Sequence, residues 1–259
     1  MSDRISKLFK NKTSGILSIY FTAGYPHLDD TASICRALVA AGVDMIEVGV
    51  PFSDPIADGP IIEASSQVAL QNGMNLELLF EQLNEVRKDI SVPILLMGYL
   101  NPILQFGVQA FLSRCKEIGI DGSIIPDLPL EEYLSDYAEQ FRASGVSNVF
   151  LITPQTTDER IRLIDANSDS FIYMVSFPTT TGAKLNLQSN AETLNYFNRV
   201  RALNLKTPRL IGFGISDKES VAAASAFANG VIVGSAFIER LKSAESVDVV
   251  TSKFISSLF

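Results

Sequence analysis

One unit recurs along the whole chain and restricts what it can fold into. A helical stretch stops at glycine or proline, and a short apolar, β-branched run follows and ends in Gly, Pro, Asp, Ser or Thr. Four copies share a glycine at the stop: AGVDMIEVGVP at Gly42, IGIDGSIIPD at Gly119, SGVSNVFLITP at Gly145 and NGVIVGS at Gly230. Glycine suits the residue that closes a helix. VPILLMGY enters through Pro93 and TPRLIGFGI through Pro208, where proline opens a strand without wasting a ladder donor. GILSIYFTAG (15–24) and FIYMVS (171–176) bring the runs to eight.

Amphipathic stretches separate them at 29–41, 61–72, 76–89, 108–118, 131–143, 157–166, 190–203 and 217–228, with a last one from about 246 to 258. Strands alternating with helices make βα units on a parallel sheet, and strands apolar on both faces need cover on both sides. Eight such units in 259 residues have the length and period of a single (β/α)8 TIM barrel spanning 1–259. A doubly wound open sheet is the alternative. No segment has the composition of a linker.

The balance of charge narrows the partners. With 21 Lys+Arg against 29 Asp+Glu, the net charge of −8 offers no cationic footprint for nucleic acid or an anionic membrane. The two cysteines, Cys35 and Cys115, are far apart, and His27 is the single histidine, so neither a disulfide framework nor a multi-histidine metal site is available. No export signal or spanning helix is visible, and a reducing, cytoplasmic setting is expected. Acid/base chemistry then falls mostly to carboxylates.

In a barrel, chemistry collects where the strands end. Side-chain alternation puts Met45, Glu47 and Gly49 on one face of the second strand, and in a parallel barrel both faces are buried. Glu47 is therefore a carboxylate in apolar surroundings, with a pKa expected to rise toward neutrality as an acid/base needs. A structural glutamate satisfied by neighbouring donors is the alternative. Asp58, in ADGP ahead of a helical segment, has on physics alone the pattern of a turn or helix cap, as does Asp54 in SDP.

Gly212 and Gly214 in GFGI, and Gly234 and Ser235 in GSAF, stand immediately before helical segments, where backbone amides and a helix dipole favour an anion such as phosphate. SFPTTTGAKLNLQSN (176–190) is long enough to be a lid, and Gly182 could add a further amide. Tyr20, Tyr99, Ile124, Tyr173 and Phe213 lie near strand ends and together could line a cavity for a flat ring. Asp127 is a polar contact or a loop cap, and His27 faces solvent.

EVGVPFSDPIADGP (47–60) is similar, nearly residue for residue, to the signature of the tryptophan synthase α-subunit family. FTAGYP, LMGYLNPI, PDLPLEE, TTGA, GFGIS and VGSAF follow in that family's order over essentially the whole chain. The resemblance implies a (β/α)8 lyase that cleaves indole-3-glycerol phosphate to indole and glyceraldehyde 3-phosphate in tryptophan biosynthesis. It implies no metal and no cofactor in this chain, pyridoxal phosphate being held by a β subunit in an α2β2 complex. By position Glu47 matches the general acid/base and Asp58 the carboxylate facing the indole nitrogen, against the cap reading. Tyr99, Ile124, Tyr173 and Phe213 match the ring pocket, Gly182, Gly214, Gly234 and Ser235 the phosphate contacts, and Thr181 a loop residue touching the catalytic aspartate. The loop at 51–60 and the segment at Asn101 become candidate contacts for the β subunit. FPTTTG (177–182) departs from the family's Arg-x-Gly-Val-Thr-Gly, which bears on loop closure and on signalling to a partner. A phosphate-binding isomerase barrel, a free-standing lyase and an idle subunit that only activates a β partner are the competing functions.

Overall fold

The computed structural model describes residues 3–176 and 191–259. Eight strands form a closed parallel barrel in sequence order: β1 (Ile16–Thr22), β2 (Met45–Gly49), β3 (Ile94–Met97), β4 (Gly122–Ile124), β5 (Ser147–Ile152), β6 (Ile172–Val175), β7 (Arg209–Gly212) and β8 (Gly230–Val233). β8 returns to β1 with Ile16 opposite Gly230. The barrel is the fold expected from the repeat, and the open-sheet alternative is excluded by this closure.

Register determines which side chains share the interior. Tyr20 lies opposite Glu47, Glu47 opposite Leu95, Gly49 opposite Met97, and Met97 opposite Ile124. Farther round, Tyr173 pairs with Leu210 and Val175 with Gly212. Residues in register on parallel strands point to the same side, so these form one continuous inner surface. Ile19, Ile46, Val48, Leu96 and Ile211, on the alternate positions, are buried beneath the helices.

The helices follow the amphipathic stretches closely, as at Asp30–Ala40, Leu76–Arg87, Val108–Ile118 and Val247–Ser257. Gly119 and Gly145 close their helices in the left-handed conformation, as their place in the repeat implies. Gly230 differs. The helix before it ends at Ser225, and Gly230 is the first residue of β8, where a Cβ would stand 2.1 Å from the Ile16 carbonyl oxygen. Close approach of two backbones explains this glycine, not helix termination. The stretch expected as one helix at 131–143 is broken into Leu130–Glu132, a π-helical turn Tyr133–Tyr137 and Ala138–Ser144. Tyr133 sits there edge-on to Phe141 and Phe150, with centroids 5.3 and 5.1 Å away. No helix among the described residues is long and apolar enough to cross a membrane.

An extra helix, Asp3–Asn11, precedes β1 and buries Ile5 and Phe9, one turn apart, with Phe9 against Phe171 at 5.8 Å. It is tied down by a charged group at the amino-terminal end of the barrel. Asp121 is 1 % exposed and accepts from the Ile94 backbone at 2.9 Å, from Arg87 Nη2 at 2.7 Å and from Arg4 Nη1 at 3.3 Å. Arg87 also donates to the carbonyls of Ile90 and Val92, so one guanidinium joins a helix end to the entry of β3. Removing the carboxylate would strand a buried cation. Asp121→Ala is therefore expected to lower unfolding free energy by about 3–5 kcal/mol, measured by urea titration, with a smaller loss in Arg4→Ala because Arg4 is 40 % exposed.

Candidate active site at the barrel mouth

Glu47 is wholly buried on the inner face of β2. Ser18 Oγ, from β1, donates to its Oε1 at 2.7 Å, while Oε2 is buried with no hydrogen-bond partner among the described residues. Loss of water disfavours the charged carboxylate, and burial pushes its pKa up to about 8 with the Ser18 bond pulling the other way. The alternative of a glutamate satisfied by neighbouring donors is half met: one oxygen is satisfied and the other is not.

The cap reading of Asp58 does not hold. The helix Pro60–Gln71 begins on Gly59 without any side-chain cap. Asp58 is instead buried, and its Oδ2 accepts from the Tyr99 hydroxyl at 3.0 Å, the same hydroxyl accepting from the Ala57 backbone at 3.0 Å. Burial raises Asp58 to about 6, opposed by the Tyr99 bond and assisted by the negative charge of Glu63. Tyr99 follows β3 and packs its ring 5.3 Å from Phe52. Asp54 is exposed and bonded to Ser53.

Tyr20 and Tyr173 join the two carboxyls. Both phenols are held far above their ordinary pKa, first by burial and then by negative charge, from Asp58 most strongly for Tyr20 and from Glu47 for Tyr173. Each lies across a neighbouring glycine: a Cβ on Gly49 would fall 2.2 Å from the Tyr20 oxygen, and one on Gly212 would fall 2.2 Å from that of Tyr173. Ile124 ends β4, buried between Met97 and Val149 in register. Phe213 is half-buried, edge-on to Tyr173 at 6.1 Å, and has φ of 69°. That left-handed backbone costs a phenylalanine about 1–2 kcal/mol, and the Ser176 hydroxyl, donating to its carbonyl at 2.6 Å, helps hold it.

The two glycine turns differ from one another. Gly234 starts the short helix Ser235–Arg240 with no side-chain cap, and it packs on the Tyr20 ring, leaving the first amides of the turn without intrahelical acceptors. Gly214, with φ of 71°, is not immediately before a helix. The next helix, Lys218–Ser225, begins after Asp217, whose own carboxylate accepts from the Ser220 amide at 3.0 Å and occupies the anion-attracting end. Gly214 thus offers a backbone turn alone. Thr181 and Gly182, with the divergent 177–182 segment, lie outside the described residues. Asp127 accepts from the Leu100 backbone at 2.9 Å, a cap on the helix Leu100–Phe106, and His27 is exposed and paired with Asp30. A separate cleft of about 700 Å³ runs between 125–130 and 149–164 and is lined by neither Glu47 nor Asp58.

Sequence reasoning missed Ser18. Its one signal is a hydroxyl in the otherwise apolar strand ILSIYFT, two residues from Tyr20 and so on the same face.

The raised pKa of Glu47 has a consequence for folding. In the unfolded chain this carboxyl ionises near its ordinary 4.5 and in the fold only near 8, so its contribution to stability is whole below 4.5 and is lost as pH rises toward 8. Glu47→Gln is therefore expected to gain stability relative to the parent chain across that interval, with the widest gap above pH 8, as read from urea midpoints at pH 5 and 8.5.

The model of the family "Tryptophan synthase alpha chain" matches residues 6–257. Among similar relatives, the tryptophan synthase alpha chain of Parabacteroides distasonis is 54% identical over 250 residues, covering 95% of this chain and 96% of the relative. That of Flavobacterium psychrophilum is 53% identical over 244 residues, covering 94% and 95%. The crystal structure of the alpha chain from Legionella pneumophila superposes with a TM-score of 0.87 at 32% identity, covering 100% of this chain and 96% of that one. A tryptophan synthase complex from Pyrococcus furiosus gives 0.84 at 34%, covering 95% and 98%. With a match running nearly from end to end, the chain belongs to the tryptophan synthase alpha chain family.

Proposed function

We propose that Glu47 is the acid/base, and Asp58 the anion steadying the positively charged ring, in the family's lyase reaction, the cleavage of indole-3-glycerol phosphate to indole and glyceraldehyde 3-phosphate. One observation carries this reading: two buried carboxyls lie at one mouth, Glu47 with one oxygen unpartnered among the described residues and a single bond from Ser18, Asp58 held by the Tyr99 hydroxyl. Burial raises Glu47 further, to about 8, than Asp58, to about 6, which favours the acid form of the first and the anion of the second near pH 7.

In the first step neutral Glu47 gives its proton to ring carbon 3, and the ring becomes a cationic indolenine whose N–H faces Asp58. A fixed anion binds that state better than the neutral ground state, which lowers the barrier. In the second step the Glu47 carboxylate takes the proton of the side-chain hydroxyl next to the ring. The carbon–carbon bond breaks, its electron pair neutralises the indolenine, and the oxygen becomes the aldehyde of glyceraldehyde 3-phosphate. Glu47 ends as it began, and the chain needs no cofactor of its own; pyridoxal phosphate belongs to the β subunit.

Tyr99, Ile124, Tyr173 and Phe213 form the ring pocket in this reading, with Tyr99 also orienting Asp58. Gly214, Gly234 and Ser235 hold the phosphate, joined by Gly182 from the 176–190 segment, while Thr181 of that segment contacts the catalytic Asp58. The β subunit docks on the mouth at 51–60 and at Asn101, where Ile56 is 79 % exposed and Leu104 46 %, large apolar surfaces that a partner would cover.

The test is indole release from indole-3-glycerol phosphate by the purified chain, with and without a β subunit. Turnover chiefly with the partner supports the synthase reading; none under either condition supports the idle, partner-activating alternative. Glu47→Gln is expected to lose about 10²–10⁴ in kcat, and retention of more than about a tenth would refute its role. Because Asp58 must be ionised and Glu47 neutral, kcat/KM should rise through about pH 6 and fall through about pH 8. Tyr99→Phe removes a bond that favours the Asp58 anion, so the acidic limb alone should move to higher pH.

A further inference from the structure

Ser18 has no part in the scheme above. It lies wholly buried in the middle of β1, in register with Met45 of β2 on one side and Ile232 of β8 on the other. Such a position ordinarily takes an aliphatic or β-branched side chain, and a hydroxyl placed there must find an acceptor to offset its lost water. Its acceptor is Glu47 Oε1, at 2.7 Å. Oε2 is just as buried and has no partner among the described residues. The two oxygens of the carboxyl are therefore inequivalent before any substrate arrives.

We infer that Ser18 is a positioning residue for the cleavage reaction, occupying Oε1 so that the carboxyl plane is fixed and Oε2 is the oxygen that exchanges its proton with the substrate. The inference rests on the assignment of Glu47 as acid/base. In the neutral acid Ser18 donates to the carbonyl oxygen Oε1, and the acidic proton sits on Oε2. When that proton passes to ring carbon 3, the same hydrogen bond supports the charge left on the carboxylate. Oε2 then accepts the side-chain hydroxyl proton as the carbon–carbon bond breaks. One oxygen gives and receives, and the carboxyl need not rotate between the two halves of the reaction.

The other titratable groups facing Glu47 leave this role open to Ser18. Tyr20 from β1 and Tyr173 from β6 are kept protonated by burial and could donate, yet neither is hydrogen-bonded to Glu47, whose one bond among the described residues comes from Ser18; Asp58, which acts on both phenols, has no proton to donate once ionised. Ser18 is thus the donor that biases Glu47 toward its charged form, against the desolvation that opposes it.

The experiment compares Ser18→Ala, Ser18→Thr, Ser18→Cys and Glu47→Gln as full chains with the β subunit present and indole-3-glycerol phosphate as substrate. Ser18→Ala should lose about tenfold or more in kcat, with KM within about twofold, and the alkaline limb of its pH profile should move up by about one pH unit. Ser18→Thr, which keeps the hydroxyl, should recover both, and Ser18→Cys, a weaker donor of similar size, should fall between. The carboxyl C=O infrared band that disappears in Glu47→Gln should shift to higher frequency in Ser18→Ala. This band reports the bond in any variant that folds, including one with no turnover. An unchanged Ser18→Ala enzyme, an unmoved band, or equal losses in Ala and Thr with an unmoved limb overturns the inference. An active Glu47→Gln enzyme overturns instead the assignment beneath it.

Discussion

The site depends on one costly placement, a carboxyl group in the dry interior of a barrel with only one of its two oxygens hydrogen-bonded. Burying an ionised carboxylate is far more expensive than burying a neutral one, so the fold holds Glu47 as an acid at pH values where an exposed glutamate would have lost its proton. The neighbours are arranged around that choice. Tyr20 and Tyr173 bring large apolar rings and neutral hydroxyls, and Gly49 and Gly212 make room for those rings where any side chain would collide with them. Among the described residues no cation is paired with this carboxyl, in contrast with Asp121 at the opposite end, which is equally buried and meets Arg87 and Arg4. The same residue class thus has two fates in one barrel. At the amino-terminal end it is neutralised and rigid, and at the carboxyl-terminal end it is left chemically available.

This polarity follows from the topology. Parallel strands place all their carboxyl ends on one rim, and the loops that follow them can contribute side chains without disturbing the packed layers below. Glu47 comes from a strand, Asp58 from the loop after it, Tyr99 from the turn after β3 and Phe213 from the turn after β7. Strand-borne groups inherit the precision of the ladder, as the Tyr20–Glu47 register shows. Asp58 lacks that support and is held by a tyrosine from the neighbouring unit, whose hydroxyl also ties down the backbone of the same loop. Phe213 is held at the expense of local strain, with its carbonyl fixed by Ser176.

How much of this was legible in the sequence varied with the range of the interaction involved. The eight strands, the barrel and most helices follow from local periodicity, and Glu47 was visible as a buried acid because alternation along MIEVG puts it on a face with Met45 and Gly49. Asp58 was not separable from a helix cap, since the choice turns on Tyr99, forty-one residues away in sequence. Ser18 escaped for the same reason, its partner being twenty-nine residues distant. Gly230 fitted the helix-stop pattern, yet its cause is the Ile16 backbone on a strand that closes the ring from the other terminus. Gly214 and Gly234 looked alike as sequence, yet Gly234 opens a helix directly while Gly214 lies ahead of one whose start is taken by Asp217 turning back onto the Ser220 amide. Short-range patterns reveal elements, while tertiary partners decide what a polar side chain inside them is for.

The 51–60 loop joins the chemistry to the outer surface. It exposes Ile56 almost fully, and the next two residues, Ala57 and Asp58, are both hydrogen-bonded to the Tyr99 hydroxyl. A partner that covered Ile56 would therefore press on a segment whose inner end is the Asp58 carboxylate, with Tyr99 as the fixed point between them. Such a contact can favour the Asp58-inward arrangement only to the extent that it binds that arrangement better than its alternatives. The Tyr99 bond is worth little against water if the loop swings outward, but much once the carboxylate is desolvated, so docking and ordering of the anion would reinforce one another. Glu47, anchored in a strand by Ser18, would gain much less from the same contact. On the roles proposed for Asp58 and Glu47, a β subunit acting through this loop would thus tune the electrostatic half of the reaction while leaving the proton-transfer half to the barrel itself.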